Sequence, residues 1–321
     1  MRTTLEEKKK QYRIIFQLIT EDSRIFIKEI SKAIKTNNQV ASNRLREAFK
    51  KGYILGPHIR KRSYLPFVEY VYFVRCKDPL EQYLKFSEDQ RVIYHAVMDG
   101  FANLWVISKE EIDINGDVLV GGPRSDYYMP IAPDHSWDTA IQIMRKKVED
   151  FNQKEYEPKE YIENHWNETI EWDEEDEILY RYFKYNLRKP MKSVTMKYCI
   201  SGQKSYEWLE RLPKTCTILT YFFPETISAY DPYIFVFETD YEDFIIDLFS
   251  ELPTTSLFFK VSDKLILYAY VKKKSVRDGD IRPISDISAL HIPLLVRNLS
   301  KKGIIRNAEH AIVNYHWGKS I

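Results

Sequence analysis

At 321 residues, 44% hydrophobic and 14% aromatic, the chain carries enough apolar material for a large core and for more than one domain, and its composition excludes wholesale disorder. No uncharged apolar run approaches the ~18 residues of a membrane span, and the opening MRTTLEEKKK lacks a signal peptide's apolar stretch, so no membrane association is expected. Three scattered cysteines, Cys76, Cys199 and Cys216, form no CxxC pair; this fits a reducing cytoplasm, and neither a metal nor a cofactor is expected.

The net charge of +1 conceals a division: residues 1–65 carry +10, 66–152 carry −6, 153–177 carry −9, 178–225 carry +6 and 226–321 carry 0. In the first block, apolar spacing predicts helices over about 5–19, 26–34 and 39–51. The polar turn TNN separates the last two, Gly52 stops the third, and YILGPHIRKR alternates as a strand and wing. This is the pattern of a winged helix-turn-helix over 1–65. The third helix aligns Gln39, Ser42, Asn43, Arg46 and Lys50 on its outward face, groups able to bond base edges and phosphates. Asn37 and Asn38 stand at its N-terminus, where a phosphate is favoured. Lys51, Arg60, Lys61 and Arg62 are expected on the DNA backbone, and Arg46 is the expected base reader.

Residues 66–152 read as strand, helix, strand, turn, strand and later helix, a ferredoxin-like pattern. His95 falls on one predicted strand, with Asn103 and Trp105 on the next. GGPRS at 121–125 is not a phosphate loop; it reads as a hairpin turn or as an effector loop in which Arg124 takes a carboxylate or phosphate. Gly100, Gly121, Gly122, Arg124 and Ser125 are the candidate effector contacts. Asp134 or Ser136 caps the helix that follows. Residues 153–177 are acidic without apolar period and are expected to form an exposed linker.

The pattern then repeats. YVYFVRCKDPLEQYLKFSED (70–89) parallels YIFVFETDYEDFIIDLFSEL (233–252), with FSE in both at an offset of 163 residues. RVIYHAVMDGFANLWVIS parallels TSLFFKVSDKLILYAYVK. Three helical segments and the strand-like TILTYFF make 178–225 a second winged helix, degenerate because Gln203, Tyr206, Glu207 and Glu210 replace its basic reading face. Residues 226–321 form a second ferredoxin-like domain, closed by SKKGIIRNAEHAIVNYHWGKS; His310 and His316 have no metal-pair spacing. The expected fold is α+β, two winged helix-turn-helix domains alternating with two ferredoxin-like βαββαβ domains.

The stretch DSRIFIKEISKAIKTNNQVASNRLREAFKKGYILGPHIR resembles the N-terminal domain of the Lrp/AsnC (feast/famine) transcription regulators. Asp22-Ser23-Arg24, Ala41 with Leu45, and Gly52-Tyr53-Ile54-Leu55-Gly56 carry the likeness. VMDGFANLWV, with Gly100, is similar to the central turn of that family's sensing domain. The resemblance implies a non-enzymatic regulator that binds double-stranded DNA, tuned by an amino acid or similar effector. It also implies a homodimer, or an intrachain pseudo-dimer given the tandem arrangement. The chain departs from the family in its duplication, in 114–140, and in Asp263-Lys264 at the second turn. The alternatives are a protein-interaction scaffold and, because H…NLW also resembles the sirohaem decarboxylases built on the same plan, a tetrapyrrole enzyme.

Overall fold

The computed structural model describes residues 3–273 and 288–318; residues 1–2, 274–287 and 319–321 lie outside the described residues. The chain runs α1 (Leu5–Glu21), α2 (Ile27–Ala33), α3 (Asn38–Lys50), β1 (Ile54–Lys61), β2 (Tyr70–Arg75), α4 (Pro79–Glu88), β3 (Val92–Gly100), β4 (Leu104–Ser108), β5 (Asp117–Pro123) and α5 (Trp137–Asp150). It continues with α6 (Glu174–Phe183), α7 (Met191–Tyr198), α8 (Gly202–Thr215), β6 (Cys216–Phe222), β7 (Tyr230–Glu238), α9 (Glu242–Phe249), β8 (Leu257–Val261), β9 (Lys264–Lys272), α10 (Ser288–Lys301) and β10 (Asn307–Gly318). The fold is α+β, of winged-helix and ferredoxin-like type. Among the described residues, no helix is long and apolar enough to cross a membrane.

Two compact units result, each drawn from both halves of the chain: residues 1–66 with 167–228, and 67–166 with 229–320. The first holds both winged helices. Thr4 and Glu7 form a reciprocal cap on α1, satisfying N–H groups that the helix leaves open. Asn37 caps α3 by accepting from the Val40 N–H, and Gly52, at φ +74°, supplies the left-handed turn that ends it. Tyr12, Ile15, Phe16 and Ile19 of α1 pack on Ile30, Ala41 and Ala48.

The two wings are one structure. β1 pairs antiparallel with β6, from Ile54 opposite Phe222 to Lys61 opposite Cys216. Phe222 thereby enters the first core, stacked on Phe16 at 4.9 Å, while Ile59 enters the second core with Phe183 and Trp208. The expected linker is also divided. Asp173 caps α6, and Glu174, Glu175, Asp176 and Glu177 form its first turn, where the helix dipole favours carboxylates. Asp176 is buried and paired with Arg211 at 2.7 Å and Lys204 at 3.0 Å.

The second unit carries one eight-stranded sheet, ordered β5-β2-β4-β3-β10-β7-β9-β8. The second half is a complete βαββαβ unit, and its last strand, β10, pairs on both sides, with β7 and with β3. In the first half the place beside β2 is taken by β5, which precedes helix α5 rather than following it. Residues 124–128 then bridge to β8, Arg124 opposite Val261 and Tyr128 opposite Phe258, so the sheet curls until its edges meet. Inside lie Val71, Phe73, Ala96, Met98, Trp105, Ile234, Val236, Phe259, Val261, Ile266, Ala311 and Val313, contributed by both halves.

Candidate functional site

The helix face expected to read DNA is real as geometry: Asn37, Asn38, Gln39, Asn43, Arg46, Lys50 and Lys51 are exposed and Ser42 is half-buried. Its polar groups already contact one another, Gln39 to Asn43 and Arg46 to Asn43 at 3.4 Å each, and the Asn38 amide oxygen accepts from Ser31. The wing differs from the expectation. Arg60, Lys61 and Arg62 are half-buried along and just beyond a paired strand. Arg60 lies 5.5 Å from the Tyr185 ring, and Lys61 sits among Trp172, Tyr180 and Glu177, 2.5 Å from the carboxylate. A lysine whose charge is met by a carboxylate and two ring faces has little left for a phosphate.

The expected effector residues are not brought together around a space. Gly100 ends β3 with a Cβ position 2.4 Å from the His310 carbonyl, so it marks a close strand contact. Gly121 and Gly122 lie within β5. Arg124 is fully buried, bonded to Glu69 at 2.8 and 3.1 Å and stacked 4.0 Å over Tyr127. The Ser125 hydroxyl accepts from the Lys260 N–H at 2.7 Å.

His95, Asn103 and Trp105 are likewise separated. His95 pairs with Val106 and Ala96 with Trp105, so His95 and Trp105 point to opposite faces. His95 is buried under α4, 4.3 Å from the Tyr83 ring centroid, while Trp105 faces the interior. The Asn103 amide accepts from the Cys76 N–H at 3.0 Å and donates to the Cys76 carbonyl at 2.7 Å, bracing the turn before α4. Ser136 caps α5.

Three cavities open on the second unit. One of about 640 Å³ beside Phe151 and Phe244 has lysines already paired, Lys147 with Glu251 and Lys159 with Asp247. A second, about 610 Å³, is lined by Glu160, Glu163, Asp240, Glu242 and Asp243 against Lys260. The third, about 510 Å³, lies between α10 and strands β7, β9 and β10. Tyr233, Phe235, Val271 and Ile292 line it together with Arg297, Lys301, Arg306 and Glu309, and Arg306 is also paired with Glu238 and Asp240. His310 stands at the edge, its ring stacked 5.9 Å from Phe235. Its volume lies within the ~300–1,000 Å³ usual for small-molecule sites. The sequence signal was there, in NLSKKGIIRNAEH, but nothing in the letters placed Tyr233 and Phe235 beneath it.

This duplicated winged-helix and ferredoxin-like arrangement defines a fold class that is known among solved structures. In particular, the chain is similar to the siroheme decarboxylase NirDL, with TM-score 0.50 and 11% identity over 96% of this chain and 92% of that one. The same enzyme in co-complex with an iron-uroporphyrin III analogue gives TM-score 0.48 at 11% identity, with the same coverage. No family model matches the chain, and no curated protein does. At this identity the likeness shows the fold. It corrects the expectation of a non-enzymatic, DNA-binding regulator, which rested on the basic third-helix face and the family resemblance: the solved structure that shares this duplicated fold is a siroheme decarboxylase.

Proposed function

We propose that the chain is an enzyme acting on a tetrapyrrole polycarboxylate, with side-chain decarboxylation as its reaction. The observation that carries the reading is the third cavity, where Tyr233 and Phe235 line the same space as Arg297, Lys301 and Arg306. A planar macrocycle buries a large apolar face, which Tyr233 and Phe235 match. Its peripheral carboxylates need cations in directional pairs, which Arg297 and Lys301 supply. The solved enzyme of similar fold is a siroheme decarboxylase.

Removing a carboxylate breaks one carbon–carbon bond, releases CO2 and requires one proton at the carbon left behind. His310, at the mouth of the cavity, is the group we assign to that proton. Arg306 also bonds Glu238 at 3.1 Å, which holds its guanidinium at the rim.

Absorbance titration with sirohaem, followed by mass spectrometry for loss of CO2, tests the proposal. Saturable binding is expected, weakened at least ~10-fold in Arg297→Ala/Lys301→Ala, each lost charge-assisted bond being worth ~1.5–3 kcal/mol. His310→Gln is expected to retain binding and lose turnover. An unchanged spectrum, or equal affinity in the double variant, would reject the site.

A further inference from the structure

We propose that Asp126, Glu163 and His165 form a binding site for a divalent first-row transition-metal ion, which ties the segment around Asp126 to residues 163–166. Their ligand atoms all lie within 4.8 Å of one another, the one such group among the described residues. The His165 Nδ1 is 3.1 Å from the Asp126 carboxylate. Two ligands held ~2.0–2.2 Å from one ion at tetrahedral or right angles stand ~2.8–3.6 Å apart, so this pair already has the spacing of neighbouring ligands. Asp126 is 3% exposed, and His165 is half-buried. Glu163 is exposed and able to swing inward as third ligand, leaving remaining positions to water.

The two segments bearing these groups are held together independently of any ion. The Asp126 N–H donates to the Glu163 carbonyl at 2.9 Å, and the Trp166 indole N–H donates to the Arg124 carbonyl at 2.8 Å. Ser125, between them, is bonded on both sides to Lys260 of β8. The neighbouring Arg124 is the obvious electrostatic objection, and Glu69 offsets its charge at 2.8 Å. One imidazole with two carboxylates selects Zn²⁺, Mn²⁺ or Fe²⁺ over Ca²⁺ and Mg²⁺, which prefer oxygen alone. No cysteine takes part, which is why cysteine spacing could not reveal the site.

The experiment uses the full chain, stripped with chelator and titrated with Co²⁺ by visible absorbance and with Zn²⁺ by calorimetry. One equivalent is expected to bind, with d–d bands and a higher thermal midpoint. His165→Gln is expected to abolish the bands, and the exposed Glu163→Gln to weaken binding at least ~10-fold. His135→Gln, at a surface histidine paired with Glu251, is expected to bind as wild type. Absence of a stoichiometric band, or bands that persist unchanged in both His165→Gln and Glu163→Gln, would overturn the proposal. Neither readout depends on tetrapyrrole binding.

Discussion

Glu47 sits where Lys8, Arg44 and Lys51 converge, at 3.0, 2.7 and 2.8 Å. Burial alone would raise its carboxyl, but hydrogen bonds from Lys51, Lys8 and Tyr12 outweigh that and hold it at about 2. Three cations of the +10 block are thus committed to one carboxylate, which a charge count along the sequence cannot reveal. His58 of β1 shifts for a different reason: burial, with Arg60 adding, lowers it to about 4 from 6.5. Unfolded chains bind more protons than folded ones wherever a folded pKa is depressed, so both groups stabilise at neutral pH and lose that contribution on acidification. The windows differ, 6.5 to 4 for His58 and 4.5 to 2 for Glu47. Urea midpoints measured against pH should therefore fall in two stages, and His58→Gln should flatten the upper one. The thiols divide as sharply. Cys216 is buried and its thiol is pushed up to about 12 by burial, whereas Cys199 is exposed. Ellman's reagent should label one thiol quickly, Cys199→Ala should remove that phase, and Cys216 should react only on unfolding.

Between elements, the two winged helices are joined by a reciprocal arginine exchange. The Arg24 guanidinium donates to the carbonyls of Leu187 and Lys189, and Arg188 donates to those of Ser23 and Ile25 at 2.8 Å each. The preceding turns match as well: Asp22 accepts from the Arg24 N–H and Asn186 from the Arg188 N–H, both at 2.9 Å. Residues 22–25 and 186–189 are thus equivalent across a local two-fold, as in an isologous interface. The sequence showed Asp22-Ser23-Arg24 plainly, but Asn186-Leu187-Arg188 passed as part of a basic run, since an isolated arginine carries no mark of its partner 163 residues away. Arg24→Ala or Arg188→Ala should each cost about 2–4 kcal/mol in urea unfolding, two charge-assisted bonds at partial burial. The double variant should fall short of the sum, because either loss loosens the same contact. Helices α1 to α3 were legible because their 3.6-residue spacing and caps are local. The pairing of β1 with β6 was not, because it joins residues more than 150 apart, Lys61 with Cys216 being the nearest in sequence.

At the scale of the whole chain, the same limit applies to how the modules associate. The alternating modules were read as four domains in chain order with an intrachain pseudo-dimer allowed, and the two compact units each take two chain segments. The repeat at offset 163 was visible; that β10 would lie between β7 and β3, and β5 occupy the edge beside β2, depends on strand partners that short motifs do not encode. The halves meet at β3 against β10 as well as where residues 124–128 bridge to β8, and Gly100 lies in close contact at the first of these joints. At φ +153° it holds a conformation that side chains rarely adopt, and a Cβ there would stand 2.4 Å from the His310 carbonyl oxygen and 2.6 Å from Ala311 Cα, both backbone. Neither neighbour can rotate away, so Gly100→Ala must displace a strand or break the joint, at about 2 kcal/mol or more. Gly202, at the first position of α8, has nothing within 4 Å of its Cβ position, and Gly202→Ala should be neutral or stabilising by up to ~1 kcal/mol. Thermal unfolding of the two variants side by side separates a general cost of losing glycine from a specific one at the joint. Because Ala308, Glu309 and His310 also line the cationic cavity, Gly100→Ala should weaken sirohaem binding as well, while Gly202→Ala leaves it unchanged.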